Sequence, residues 1–238
     1  FSFLALLGVG TSCQRNTLNH TTSNGIEFWL TNPDRSALFV KQPGKLAFSD
    51  TPSQGPTIDI DDSQTFQAID GFGYTLTGGS AMLIDKMDTK ARAALLKELF
   101  STEGNSIGVS IGASDLDDRV FSYNDLPEGQ TDVRLEKFSL APDQEHLIPI
   151  LKEILAINPA IKILGSPWSP PTWMKTNSNS KGGSLKTEFY DTYAQYFIKY
   201  IQGMKAEGIR IDAITIQNEP LHPGNNPSLL MLAPDQAT

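Results

Sequence analysis

The stretch Ile211-Asp212-Ala213-Ile214-Thr215-Ile216-Gln217-Asn218-Glu219-Pro220 decides how the chain is read. Its β-branched run predicts a strand over 211–217, and Pro220, which has no N–H to offer a neighbouring strand, stops the pairing. A glutamate is thereby left at the mouth end of an apolar strand. Alone, Asn-Glu-Pro is also an ordinary polar strand-to-loop turn. Its significance depends on whether the rest of the chain is built the same way.

It is. Upstream, Ile161 to Leu164 predicts a strand that runs into Gly165-Ser166-Pro167-Trp168, Ile107 to Ile111 predicts another that runs into Ala113-Ser114-Asp115, and Ile69 to Tyr74 a first one. Helical periodicity fills the intervals. Asp88 caps a helix to Phe100 with Ala91, Ala94, Leu95 and Leu99 inward; Asp143 is read as the cap of a helix carrying Leu147, Ile150, Leu151, Ile154 and Leu155 to the stop at Asn158-Pro159; and Tyr190, Tyr193, Ala194, Phe197, Ile201 and Met204 line a third that ends at Gly208. Strand and helix alternating at intervals of roughly fifty residues is the pattern of βα units on a parallel sheet. The expected fold class is α/β, the first half of a (β/α)8 TIM barrel, over residues 64–238. An open half barrel leaves strand edges and helix faces unmatched, so the chain is expected to be a piece of a longer one. Residues 13–63 are polar and turn-rich with β-prone pieces at Glu27 to Thr31, Ala37 to Val40 and Thr57 to Asp61, the expected contribution to a β-sandwich side domain.

Composition narrows the function classes. With 19 basic and 27 acidic residues the formal charge is −8, which repels phosphate backbones and argues against a nucleic-acid partner. Residues 1–12 are apolar and small, too short to span a bilayer, and read as the remnant of a signal peptide. The small residues before Cys13 match a bacterial lipoprotein processing site loosely, so lipidation of Cys13 and export are expected, with a plain secretory signal as the alternative. A single cysteine permits no internal disulfide. The three histidines, His20, His146 and His222, are scattered without metal-ligand spacing, and no cofactor is expected.

In a barrel of this kind the reacting groups lie just past the C-terminal ends of the strands. Glu219 there can protonate a leaving oxygen and later take a proton from water, and Asn218 beside it can hold a hydroxyl. Trp168 and Trp173 offer flat indoles that suit the CH faces of sugars, although a core role under the loop fits either equally. Asp115, Asp117 and Asp118 can accept hydrogen bonds from sugar hydroxyls, hold calcium or simply face water, the last being preferred for Asp117 and Asp118. Gly71-Phe72-Gly73 with Gly78-Gly79 lacks the spacing of a nucleotide-binding loop and reads as a tight barrel-floor or rim turn. His222, three residues after Glu219, either lines the site or sits on a surface loop.

Taken together, Ile69-Asp70-Gly71-Phe72-Gly73, Ala113-Ser114-Asp115 with Phe121-Ser122-Tyr123-Asn124-Asp125, Ser166-Pro167-Trp168 through Trp173-Met174-Lys175-Thr176-Asn177, and Gln217-Asn218-Glu219-Pro220 closely resemble glycoside hydrolase family 30. That resemblance implies a retaining hydrolase of β-glucosidic bonds acting on β-1,6-glucan or a glucosylated lipid such as glucosylceramide. Glu219 is then the acid/base, Asn218 contacts the sugar 2-hydroxyl, and Asp115 and Trp168 shape the subsite for the nonreducing glucose. The nucleophile is implied on a seventh strand, outside this chain, so the chain alone is expected to be inactive. Two departures stand out: no arginine occurs between Arg92 and Arg119, where the family commonly places one on the second strand, and Gly78 stands where glucosylceramidase members carry Asp. The alternative from another class is a noncatalytic glycan-binding protein on the same barrel.

Overall fold

The structure is a computed structural model that describes residues 25–51, 54–59, 61–69 and 71–238. Cys13 and the expected signal segment lie outside the described residues. The chain divides into two compact units between Phe66 and Gln67.

In the first unit, β1 (Trp29–Leu30) pairs antiparallel with β2 (Val40–Lys41), Trp29 opposite Lys41. The Trp29 ring stacks on Phe39 at 6.1 Å, and the Lys41 ammonium lies over it at 5.3 Å while pairing with Glu27 at 2.9 Å. Residues 57–59, expected to be β, form no strand, and Phe39, Phe48 and Ile58 stay exposed.

The second unit is a parallel sheet of four strands in chain order: β3 (Phe72–Leu76), β4 (Asn105–Ile111), β5 (Lys162–Pro167) and β6 (Ala213–Ile214). Leu76 pairs with Val109, Ile111 with Pro167, and Gly165 with Ile214, so the strand ends that carry the polar motifs lie side by side. Helices make the returns: α1 (Gly78–Asp85) and α2 (Thr89–Phe100) after β3, α3 (Ala141–Gln144) and α4 (Leu147–Ile157) after β4, and α5 (Tyr190–Ala206) after β5; α6 (Ala233–Ala237) follows β6. The core lies between one face of the sheet and the helices, where Ile107, Val109, Ile111 and Ile163 meet Leu96, Phe100, Ile150, Leu151, Ile154, Tyr196 and Tyr200. On the opposite face Leu164 is half-exposed. β6 is shorter than the predicted 211–217, yet Asp212 N–H donates to Ile163 O, Thr215 N–H to Gly165 O and Asn218 N–H to Pro167 O, so the strand stays tied to β5 past its formal end.

Helix ends follow their local chemistry. Asp88 accepts from Ala91 N–H at 3.0 Å, the expected cap, although the buried stripe of α2 is Leu96 and Phe100, about one residue round from the predicted face. α5 buries Tyr193, Tyr196, Phe197, Tyr200 and Met204, leaves Ala194 exposed, and ends at Gly208 (φ 82°) with Gly208 N–H on Lys205 O and Ile209 N–H on Met204 O. Both hydrogen bonds of the Schellman motif are present, and glycine supplies the left-handed residue it needs. Gly78-Gly79 is not a rim turn: Thr77 accepts from Ser80 N–H and α1 starts there. A Cβ on Gly78 would stand 1.9 Å from Asp117 Oδ1, and one on Gly79 2.0 Å from the Leu116 carbonyl oxygen, so these glycines let the loop after β4 lie on the helix start.

Asp143 does not cap α4. It is buried within α3 and accepts the Tyr123 hydroxyl at 2.5 Å, beneath the stack of Tyr123 on Tyr196 and Tyr200. Burial, with the nearby Asp117 charge and against the Tyr123 hydrogen bond, pushes its carboxyl up to about 7. Between its ordinary pKa near 3.8 and that value, the folded protein holds a proton that the unfolded chain has lost, so stability falls as pH rises through this window. Asp143→Asn, which keeps an acceptor for Tyr123, is expected to flatten that dependence by up to about 1.4 kcal/mol per pH unit. Melting curves of both proteins from pH 4 to 7.5 check it; parallel curves would refute the assignment.

Candidate active site

The ends of β4, β5 and β6 present three loops at one edge of the sheet, and hydrogen bonds stitch the last two together. Ser166 Oγ and Thr215 Oγ1 are 2.6 Å apart across the strands. Three residues past the last paired residue of β6, the buried Gln217 amide donates to the Trp168 carbonyl at 2.8 Å and to the Asn218 carbonyl at 2.9 Å. The main chain at Trp168 is therefore held beside the segment that carries Asn218 and Glu219. Trp168 is half-buried, and its indole N–H has no partner among the described residues, which leaves the ring available to a ligand.

Glu219 has φ 44°, the left-handed region that a residue with a Cβ rarely adopts. The tight turn produces this: His222 N–H donates to the Glu219 carbonyl, and Met231 N–H to the Pro220 carbonyl, folding the chain back immediately after the glutamate. Strain of this kind, on the order of 1 kcal/mol or more, persists only where the surroundings fix it. The Glu219 side chain is exposed, and its Oε2 accepts from Asn225 Nδ2 at 2.7 Å. His222 is exposed, with its ring against Gly224.

The acidic loop after β4 separates by role. Asp115 is exposed and makes no hydrogen bond among the described residues, so its carboxylate is open. Asp117, expected to be simply solvated, is instead structural: its Oδ2 accepts both the N–H and the Oγ–H of Ser114 at 2.7 Å. Asp125 holds Ser122 with both oxygens, Oδ2 accepting the N–H at 2.8 Å and Oδ1 the Oγ–H at 2.6 Å. The two tryptophans also part. Trp173 is buried, donates to the Asn124 carbonyl at 3.0 Å and meets Phe189 edge-on, which makes it a core residue.

Lys175 escaped the sequence reading. It is fully buried, and its ammonium donates to Ser169 Oγ at 2.9 Å, the Ser180 carbonyl at 2.7 Å and the Ser228 carbonyl at 2.6 Å. All three donors are used on uncharged acceptors, and burial pushes the pKa down to about 7. The only cue was a lone cation directly after Trp173-Met174, in a loop otherwise rich in proline and aromatic residues. Among the described residues, no three His, Cys, Asp or Glu side chains converge as metal ligands would, and no helix is long and apolar enough to cross a membrane.

Parallel βα units that gather a glutamate, an amide and a half-buried tryptophan past the C-terminal strand ends have the arrangement of a (β/α)8 barrel, whose sites form at that edge. Residues 69–230 match the Glycosyl hydrolase family 30 TIM-barrel domain, and the chain belongs to that family. It is 40% identical over 174 residues to an endo-1,6-beta-D-glucanase of Neurospora crassa, covering 70% of this chain and 36% of that protein. To the lysosomal acid glucosylceramidase of Mus musculus it is 35% identical over 176 residues, 70% of this chain and 34% of the relative. The solved structure of SrfJ from Salmonella typhimurium superposes with a TM-score of 0.71 at 29% identity, covering 88% of this chain and 47% of that one. A solved endo-beta1,6-glucanase gives 0.70 at 34% identity, over 89% and 46%. The chain thus spans about a third of the length of these curated relatives.

Proposed function

We propose that the protein carrying this chain is an exported retaining β-glycosidase that cleaves β-1,6-glucan, with Glu219 as its acid/base. The observation that carries the reading is the Glu219 carboxyl, exposed in the segment that follows β6, two residues after a Gln217 side chain that donates to the Trp168 carbonyl. In the first step Glu219 gives its proton to the glycosidic oxygen as the bond from the anomeric carbon to that oxygen breaks and a second carboxylate bonds to the carbon; in the next, water bonds to that carbon, the carboxylate leaves, and Glu219 takes the proton from water. Trp168 stacks on the sugar face, Asn218 holds the 2-hydroxyl and Asp115 accepts from an outer hydroxyl. The preference for glucan over glucosylceramide rests on the names of the relatives with the higher identity. Lipidation at Cys13 belongs to the same reading.

The test is hydrolysis by the full-length protein of β-1,6-glucan, β-1,3-glucan and glucosylceramide, with the anomer of the first-formed product read by proton NMR. Turnover of β-1,6-glucan to the β-anomer is expected. An α-anomer excludes a retaining mechanism, and tight glycan binding without turnover favours the noncatalytic glycan-binding alternative.

A further inference from the structure

We propose that Asn225 is a positioning residue for Glu219, deciding which of its two carboxyl oxygens carries the transferable proton. The inference rests on the acid/base reading above. Asn225 Nδ2 donates to Glu219 Oε2 at 2.7 Å, and among the described residues no other side chain bonds that carboxyl. An oxygen that accepts an amide N–H keeps a lone pair directed at it, so the proton of the neutral acid sits on Oε1. In the second step the same bond leaves Oε1 free to accept the proton from water. An exposed glutamate without such a tether moves among staggered rotamers, and transfer is lost from every arrangement that points elsewhere.

The amide can serve this purpose because its own loop is fixed. The Asn225 carbonyl accepts Ser228 Oγ–H at 2.6 Å, and Ser228 Oγ in turn accepts Gly182 N–H at 2.9 Å. Ser228 N–H donates to the Ser180 carbonyl at 3.0 Å, its own carbonyl receives the Lys175 ammonium, and Asn226 Oδ1 accepts Ser180 Oγ–H at 2.7 Å. The loop after β6 is thereby clamped to the loop after β5. A change confined to the Asn225 side chain leaves every one of these bonds in place.

The experiment compares full-length wild type, Asn225→Ala, Asn225→Leu, Glu219→Gln and the Glu219→Gln/Asn225→Ala double variant on β-1,6-glucan and on 2,4-dinitrophenyl β-glucoside. Loss of the tether is expected to lower kcat on the glucan about tenfold to a hundredfold with little change in KM, and to leave kcat/KM on the activated glucoside within about twofold, since its leaving group departs without a proton. Adding Asn225→Ala to Glu219→Gln is expected to cost nothing more, because the tether then has no acid to aim. Asn225→Leu, close in volume and without a donor, is expected to match Asn225→Ala. Additive losses in the double variant, equal losses on both substrates, or failure of both single variants to reach the wild-type melting transition would each overturn the proposal. Full glucan turnover by Glu219→Gln instead removes the acid/base reading, whereas loss there with none in Asn225→Ala removes this inference alone.

Discussion

Replacing Glu219 with Gln in the full-length protein is expected to lower turnover of β-1,6-glucan by about 10²- to 10⁴-fold, the range that a positioned acid/base contributes. The amide keeps the size and hydrogen-bonding outline of the carboxyl and removes only its exchangeable charge. A sugar alkoxide is a poor leaving group, so bond cleavage in the glucan stalls without proton donation. Dinitrophenolate leaves unaided, and on that substrate the first step survives while the second slows, because water has lost its base. The glycosyl intermediate then accumulates, visible as a burst of dinitrophenolate, and azide, a nucleophile that needs no deprotonation, restores turnover. Undiminished glucan hydrolysis in this variant would end the assignment.

The second large effect is on stability. Lys175→Met removes a cation whose three N–H groups satisfy Ser169 Oγ and the carbonyls of Ser180 and Ser228. Each acceptor left unmet in the interior costs on the order of 1–3 kcal/mol, partly offset by no longer burying a charge, so a net loss of about 3 kcal/mol is expected in denaturant unfolding. The pH dependence carries a sign. The unfolded lysine keeps its proton to its ordinary pKa of 10.5 while the folded one yields it near 7, so the unfolded state binds more protons between those values and stability rises with pH there. Wild type is expected to show that rise and Lys175→Met to lack it. A variant as stable as wild type at pH 7 would show that the three bonds contribute nothing.

The path from sequence to fold was legible wherever one local rule governed. Asp88 capped a helix, Gly208 closed one, and the apolar runs at 107–111 and 161–164 became β4 and β5. Reading failed where a tertiary partner decided the matter. Asp143 looks like a cap and is instead the acceptor of a hydroxyl 20 residues away. Gly78-Gly79 looks like a turn, because the loop that lies on it comes from a later strand. Trp168 and Trp173 are equivalent as letters, and what sorts Trp173 into the core is its burial against Phe189 together with the Asn124 bond. At the site, the strand-end position of Glu219 could be read from Pro220, whereas Lys175 and Asn225 could not, since their importance lies in what other loops bring to them.

The main-chain torsion at Glu219 has a consequence for how such a chain drifts. Glycine or asparagine would occupy that left-handed corner more comfortably than glutamate. Selection for heat tolerance alone would therefore surrender this carboxyl early, and a lineage that keeps it shows that some other demand outweighs comfort at that joint.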